Sequence, residues 1–260
     1  MKLLLDPGGT RLKYAAIREG EVLDVADVAW NRMSATGDDS WSPEPPWTDW
    51  HFESCHWLDR PDPPAAPSEW LDLVCATFNV PRSECSALDL SSRAPFQVDY
   101  ESGQPGSDRM AAAAACHHRS PEGSFVIIDA GTCITVDLLT PGVWKGGAIL
   151  PGLRLQAASM RQAGLPEIQP DGQNRWNISP GAEGALGTDT EAAIRAGIPW
   201  AVRHAVQAVA EGLMEFADGA DVILTGGDAE HFAGLGGWQT FADPNLVLQG
   251  GALLLKESTT

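Results

Sequence analysis

Along most of the chain, apolar residues fall in short runs closed by glycine-rich or acidic turns. Residues 2–5 are apolar, then come Asp6-Pro7-Gly8-Gly9-Thr10 and a second apolar stretch over 12–17, which predicts a β-hairpin with a glycine turn. Residues 22–30 predict a third strand. Residues 125–128 are a buried-type strand ending at Asp129-Ala130-Gly131-Thr132, with 134–139 as its hairpin partner and a glycine-rich strand and turn over 144–152. Residues 222–224 form a further strand that ends in Thr225-Gly226-Gly227-Asp228.

Helices are predicted between these strands. Residues 70–78 read as helical, and Ser107 is placed to N-cap a helix through Asp108, Arg109, Met110 and five alanines. Residues 190–196 read as a short helix stopped by Gly197. A long helix starts at Pro199, with Val202, Val206, Val209, Leu213 and Phe216 on one stripe. Residues 246–255 are a final apolar strand or helix. From 32 to 68 no period is visible. That stretch is rich in Pro, Ser, Trp and acidic residues, and six of the ten tryptophans lie between Trp30 and Trp70. It reads as an irregular surface insert held by aromatic packing anchors.

A strand that ends in Asp-x-Gly-(Gly)-Thr and runs on into a second strand occurs twice, at Asp6 and at Asp129. This repetition suggests a duplicated α/β lobe with a cleft between the copies, divided at 1–112 and 113–260.

Composition narrows the function classes. The 260 residues carry a formal net charge of -18, which repels phosphate backbones and argues against a nucleic-acid partner. The opening apolar run is too short for a signal peptide, and no run approaches a membrane span, so a cytoplasmic protein with no membrane partner is expected. The five cysteines show no C-x-x-C spacing, and adjacent His117 and His118 diverge around a helix axis; neither a disulfide framework nor a zinc site is expected.

The repeated turns suit phosphate chemistry. Glycines let the backbone approach closely and direct N–H groups at phosphate oxygens, threonine adds a hydroxyl donor, and the carboxylate is left to hold a cation. At the start of the alanine-rich helix, Arg109 is electrostatically wrong for the positive end of the helix dipole and calls for an anion, while Asp108 could take a hydroxyl proton. With the third glycine turn at Thr225, the set resembles the actin, hexokinase and Hsp70 superfamily, whose two ribonuclease H-like lobes clasp a nucleotide.

A narrower resemblance rests on motif order. The chain carries Asp6-Pro7-Gly8-Gly9-Thr10 through Lys13, Gly106-Ser107-Asp108-Arg109 and Asp129-Ala130-Gly131-Thr132. It continues with Gly146-Gly147-Ala148-Ile149-Leu150-Pro151-Gly152, Leu165-Pro166, Asp189-Thr190 and Thr225-Gly226-Gly227-Asp228. In this order and spacing the chain resembles the type III pantothenate kinases over residues 1–20 and from 98 onward. The resemblance implies ATP-dependent phosphorylation of pantothenate, the first step of coenzyme A synthesis. It implies that Asp6, Gly8, Gly9, Thr10 and Lys13 form a phosphate hairpin with Asp6 near Mg²⁺, and that Thr132, Gly226 and Gly227 meet ATP. Asp129 would bind a monovalent cation, K⁺ or NH₄⁺. Asp108 would be the general base, with Tyr100, Gly106, Ser107, Arg109 and Thr190 around pantothenate. The family is dimeric.

Gly9 departs from the asparagine usual in that family, while related sugar kinases have Asp-x-Gly-Gly-Thr there. Pro105 also stands where an aliphatic residue is common. Two other readings stay open: a sugar kinase of the same superfamily, and a nucleotide-binding regulator with weakened catalysis. The absence of a His and Cys zinc cluster speaks against the first, and retention of Asp6, Asp108, Arg109, Asp129 and Thr132 against the second.

Overall fold

The computed structural model describes residues 1–30, 47, 50–59, 67–88, 90, 93–101, 103–170 and 186–256. Most of the insert expected over 32–68 lies outside them. In chain order the elements are β1 (Lys2–Pro7), β2 (Arg11–Arg18), β3 (Glu21–Ala29), β4 (Ser54–Leu58), α1 (Pro67–Phe78), β5 (Cys85–Leu88), β6 (Gln97–Val98) and α2 (Ser107–Arg119). There follow β7 (Phe125–Ala130), β8 (Cys133–Thr140), β9 (Val143–Pro151), α3 (Leu153–Gln162), α4 (Thr190–Met214), β10 (Asp221–Thr225), β11 (Thr240–Ala242) and α5 (Leu246–Lys256).

The chain forms two compact units, Met1–Pro121 with Asn245–Thr260, and Glu122–Pro244. The break expected at 112/113 would cut α2. It falls instead after Pro121, because α2 stays whole and α5 returns to pack on it. A Cβ on Gly250 of α5 would run into the Ala111 carbonyl of α2, and one on Gly251 would stand 2.8 Å from Leu4 of β1. The run of small residues in α2 thus serves close helix packing, beyond its helix propensity.

Both units use one strand plan. In the first, the order is β3-β2-β1-β4-β5, with β1 antiparallel to β2, β2 antiparallel to β3, and β4 and β5 added in parallel. In the second, β9-β8-β7-β10-β11 repeats that order and those directions. The duplication read from the two Asp-x-Gly turns is therefore a duplication of topology, and each turn joins the first and second strands of its sheet.

Each unit has its own core. Leu3, Leu5, Leu12, Tyr14, Cys55, Leu71 and Val74 build the first. Trp47 joins it, stacking on Trp50 at 5.6–6.3 Å from Tyr14, Phe52 and Phe78, with its Nε1 donating to Asp24 at 2.8 Å. The described tryptophans of this region thus act as packing anchors. The second core gathers Val126, Ile128, Val136, Leu138 and the α4 stripe Ile194, Ile198, Val202, Val206 and Ala210.

Four expectations change. β4 runs through the stretch read as irregular; its His56 is satisfied by Ser54 and Ser86 at 3.0 and 3.1 Å, so a polar residue sits in a strand flanked on both edges. Burial, then Lys2 and Arg93, lower the His56 pKa to about 4. α4 continues through Gly197 and Pro199, since Pro199 is buried within a packed face that outweighs one missing N–H. Phe216 lies past the helix end and is 77% exposed, off the stripe predicted for it. Ser107 is the first helical residue of α2; Gly106 is the N-cap, with no side-chain cap. No helix of the described residues is long and apolar enough to cross a membrane.

Candidate active site

The first glycine turn links β1 to β2. Asp6 and Lys13 are direct cross-strand partners, so carboxylate and ammonium share one face at the mouth of the turn. Gly8 N–H donates to the Asp6 carbonyl at 3.0 Å, tightening the turn. A Cβ on Gly8 would stand 2.9 Å from the Arg11 carbonyl oxygen, so glycine is required by close approach. Thr10 is exposed, and Gly9 and Lys13 are half-buried. Just past the turn, Arg11 grips Asp27 through two bonds of 2.8 and 2.6 Å.

The same unit carries the opening of α2. Asp108 and Arg109 lie in its first turn, at the positive end of the helix dipole. Asp108 Oδ1 accepts the Arg109 N–H at 2.8 Å, and a Cβ on Gly106 would stand 2.6 Å from that oxygen. The glycine therefore gives the carboxylate its space. Arg109 is only 6% exposed, whereas Tyr100 is 45% exposed. At the other end of α2, His117, His118 and Arg119 complement the negative dipole end, and His117 meets the Phe96 ring.

The second turn links β7 to β8 and is clamped from two sides. Asp129 pairs with Thr135 on β8 and with Thr225 on β10. Gly131 N–H donates to the Cys133 carbonyl at 3.0 Å. Gly152 N–H donates to the Thr132 carbonyl at 3.0 Å, and a Cβ on Gly152 would stand 2.6 Å from that same oxygen. On the other side Asp228 N–H donates to the Ala130 carbonyl at 2.9 Å. Gly226 adopts φ 93° beside the Asp129 carboxylate and the Ala130 carbonyl, a conformation and a space that exclude a side chain.

Sequence reasoning placed Gly152 and Asp228 within motifs but not among the site residues. Their roles appear only when three distant strand ends meet at one turn. Asp228 is buried, and burial raises its pKa, with Arg154 and His231 opposing and Glu230 adding to the rise. The short 3₁₀ turn Ala229–Phe232 follows, held by Arg203, which donates to the His231 and Ala233 carbonyls. Thr190 is the first residue of α4, and Asp189 caps that helix by accepting the Ala192 N–H at 2.8 Å.

Thus Asp6, Gly8, Gly9, Thr10 and Lys13 come together on one turn, as do Gly106, Ser107, Asp108 and Arg109 at one helix start. Asp129, Thr132 and Gly226 gather at the second turn, with Gly227 next in the chain. At Gly226 the backbone closes directly onto the Asp129 carboxylate and the Ala130 carbonyl.

Comparison with known proteins gives a consistent result. A family profile described as type III pantothenate kinase matches residues 64–212. A type III pantothenate kinase of Alkalilimnicola ehrlichii is 31% identical over 98% of both chains. One from Porphyromonas gingivalis is 31% identical over 71% of this chain and 79% of its own. Among solved structures, a Campylobacter jejuni protein described as a Baf family transcriptional activator has a TM-score of 0.58 at 17% identity, covering 98% of each chain. The activator of the 2-hydroxyisocaproyl-CoA dehydratase from Clostridium difficile, with bound ADPNP, has a TM-score of 0.51 at 14% identity, covering 99% of this chain and 94% of its own. At such identities these two likenesses concern the fold alone.

Proposed function

The chain belongs to the type III pantothenate kinase family, and on that premise we propose a division of labour for its phosphorylation of pantothenate by ATP, the first step of coenzyme A synthesis. The observation that carries it is the opening of α2, where Asp108 and a buried Arg109 share one helical turn.

Asp108 is the general base. It takes the proton of the pantothenate hydroxyl as that oxygen attacks the terminal phosphorus of ATP; a P–O bond forms, the bond to the ADP oxygen breaks, and ADP leaves. Positioning and charge dominate phosphoryl transfer, so the base acts on an oxygen already held in line. Arg109 holds the pantothenate carboxylate by a charge-assisted fork. Tyr100, Gly106, Ser107 and Thr190 line the remainder of the substrate.

Gly8, Gly9, Thr10 and Lys13 receive phosphate oxygens, and Thr132, Gly226 and Gly227 meet the nucleotide. Asp6 would hold the Mg²⁺ that travels with ATP, and the ion would neutralise phosphate charge there. Asp129 would hold a monovalent cation, K⁺ or NH₄⁺, which would offset charge beside the phosphates. On the family resemblance, the enzyme works as a cytoplasmic homodimer.

The test is coupled ADP release with pantothenate, glucose or no acceptor. ADP release that depends on pantothenate is expected. Release with glucose but not pantothenate, or none with either, would overturn the assignment. Light scattering behind a sizing column tests the dimer, and a monomeric mass at assay concentration would remove it.

A further inference from the structure

We propose that Trp30 is a positioning residue for the first glycine turn, fixing its amides before ATP arrives; this rests on the reading of that turn as a phosphate site. Trp30 reaches both sides of Gly9. Its indole Nε1–H donates to the Gly8 carbonyl at 2.7 Å, and its backbone N–H donates to the Thr10 carbonyl at 3.2 Å.

A trans peptide points its C=O and N–H in opposite directions. Tying the Gly8 carbonyl to the indole therefore turns the Gly9 N–H away from Trp30. Tying the Thr10 carbonyl fixes the plane that follows, so the Thr10 N–H between them has little freedom left. Among the described residues, the N–H groups of Gly9 and Thr10 donate to no protein acceptor. Two adjacent donors, oriented and unspent on a glycine turn, form a nest for an anion.

The adjacent glycines make this restraint necessary. Gly8-Gly9 is the most permissive backbone a turn can have, and Gly9 contributes no side chain to hold it. Left alone, the pair would have to be ordered by the phosphate itself. Trp30 is fixed in turn by the core: its ring lies 6.3 Å from that of Trp70, which is 6.1 Å from that of Trp57, and Trp70 is 3% exposed. Indole Nε1 is a donor and nothing else, so its bond has one polarity. The chain thereby recruits a tryptophan 22 residues away to do locally what a side chain at position 9 would do.

The test is Trp30→Phe, which keeps an aromatic ring against Trp70 and removes the Nε1–H. The KM for ATP is expected to rise about fivefold, the effect of one hydrogen bond, while kcat at saturating ATP and the KM for pantothenate stay within twofold or so. Lys13→Ala runs alongside as the control for the turn itself. A raised ATP KM in Lys13→Ala with an unchanged one in Trp30→Phe overturns the role of Trp30 alone. Unchanged values in both overturn the phosphate reading and this inference with it. Equal loss in kcat and both KM values with a lowered Tm marks mere scaffolding and also overturns it. Should Trp30→Phe fail to fold, benzothienylalanine at position 30 replaces the N–H by sulfur at nearly constant shape, and the same ATP-specific rise is expected.

Discussion

Gly226 lies so near Asp129 that a Cβ there would stand 2.5 Å from the Asp129 Oδ1. The end of β10 and the end of β7 thus share one small space, and the glycine also needs φ 93°. Gly226→Ala must distort both the turn and the carboxylate. It is expected to destabilise the protein by about 2 kcal/mol or more and to raise the KM for ATP. Thermal unfolding with initial rates against ATP checks this; an unchanged Tm and ATP KM would show that the clamp is not needed.

Asp108→Asn keeps shape and loses basicity. As the general base typically contributes about 10²–10⁴-fold, kcat is expected to fall by that range while ATP still binds. Nucleotide titration by calorimetry, beside steady-state rates, separates the two quantities. A near-normal kcat removes Asp108 from the chemistry.

Arg109→Lys keeps the charge and loses the planar fork. The pantothenate KM is expected to rise about tenfold, equivalent to about 1.4 kcal/mol. A rise in ATP KM instead would assign the arginine to the nucleotide.

Gly250→Ala probes the packing of α5 on α2, because its Cβ would meet the Ala111 carbonyl. Helices forced apart here lose close contact along the run Ala111, Ala112, Ala113, Ala114 and Ala115. A loss of about 1–3 kcal/mol is expected in denaturant unfolding at unchanged m-value. An unaltered midpoint would mean that the helices separate freely.

The glycine turns were legible in the sequence because a hairpin announces itself locally: an apolar run, an acidic-glycine turn and a second apolar run. The strand order repeated in both units follows from two such hairpins, which is why the duplication could be read at Asp6 and Asp129. β4 could not, since the polar His56 is reconciled to its strand by Ser86, thirty residues away. Local signals at Gly197 and Pro199 misled in the opposite sense, as the α4 face from Ile194 to Ala210 is held by a core those signals do not see. The convergence of Gly152, Gly226 and Asp228 on the second turn was hidden for the same reason. Each glycine is explained by a backbone atom distant from it in the chain.

The cation proposed at Asp129 would make turnover depend on the salt present. A carboxylate at the end of β7, where nucleotide phosphates are proposed to arrive, would oppose them. At about 4 Å and an effective dielectric near 20, two like charges repel by about 4 kcal/mol. Lys145, the next basic residue along the chain, lies at the far end of the β8–β9 ladder beside Leu138 and Leu139, whereas Thr135, the partner of Asp129, faces Ile149. Mg²⁺ demands near-octahedral oxygen and keeps its waters, which matches Asp6 and mobile phosphates better than a carboxylate set against a glycine backbone. A larger, weakly hydrated ion, which is less exacting in geometry, is the better match to such a carboxylate. Activity at fixed ionic strength is therefore expected to be high in K⁺ or NH₄⁺ and low in Na⁺ or a bulky organic cation. K⁺ is also expected to raise the Tm of the ATP-bound protein, a readout independent of turnover. In Asp129→Ala both effects should vanish. Equal rates in all four salts, or a variant that keeps full activity and the same K⁺ dependence, would show that Asp129 merely accepts backbone N–H groups within its turn.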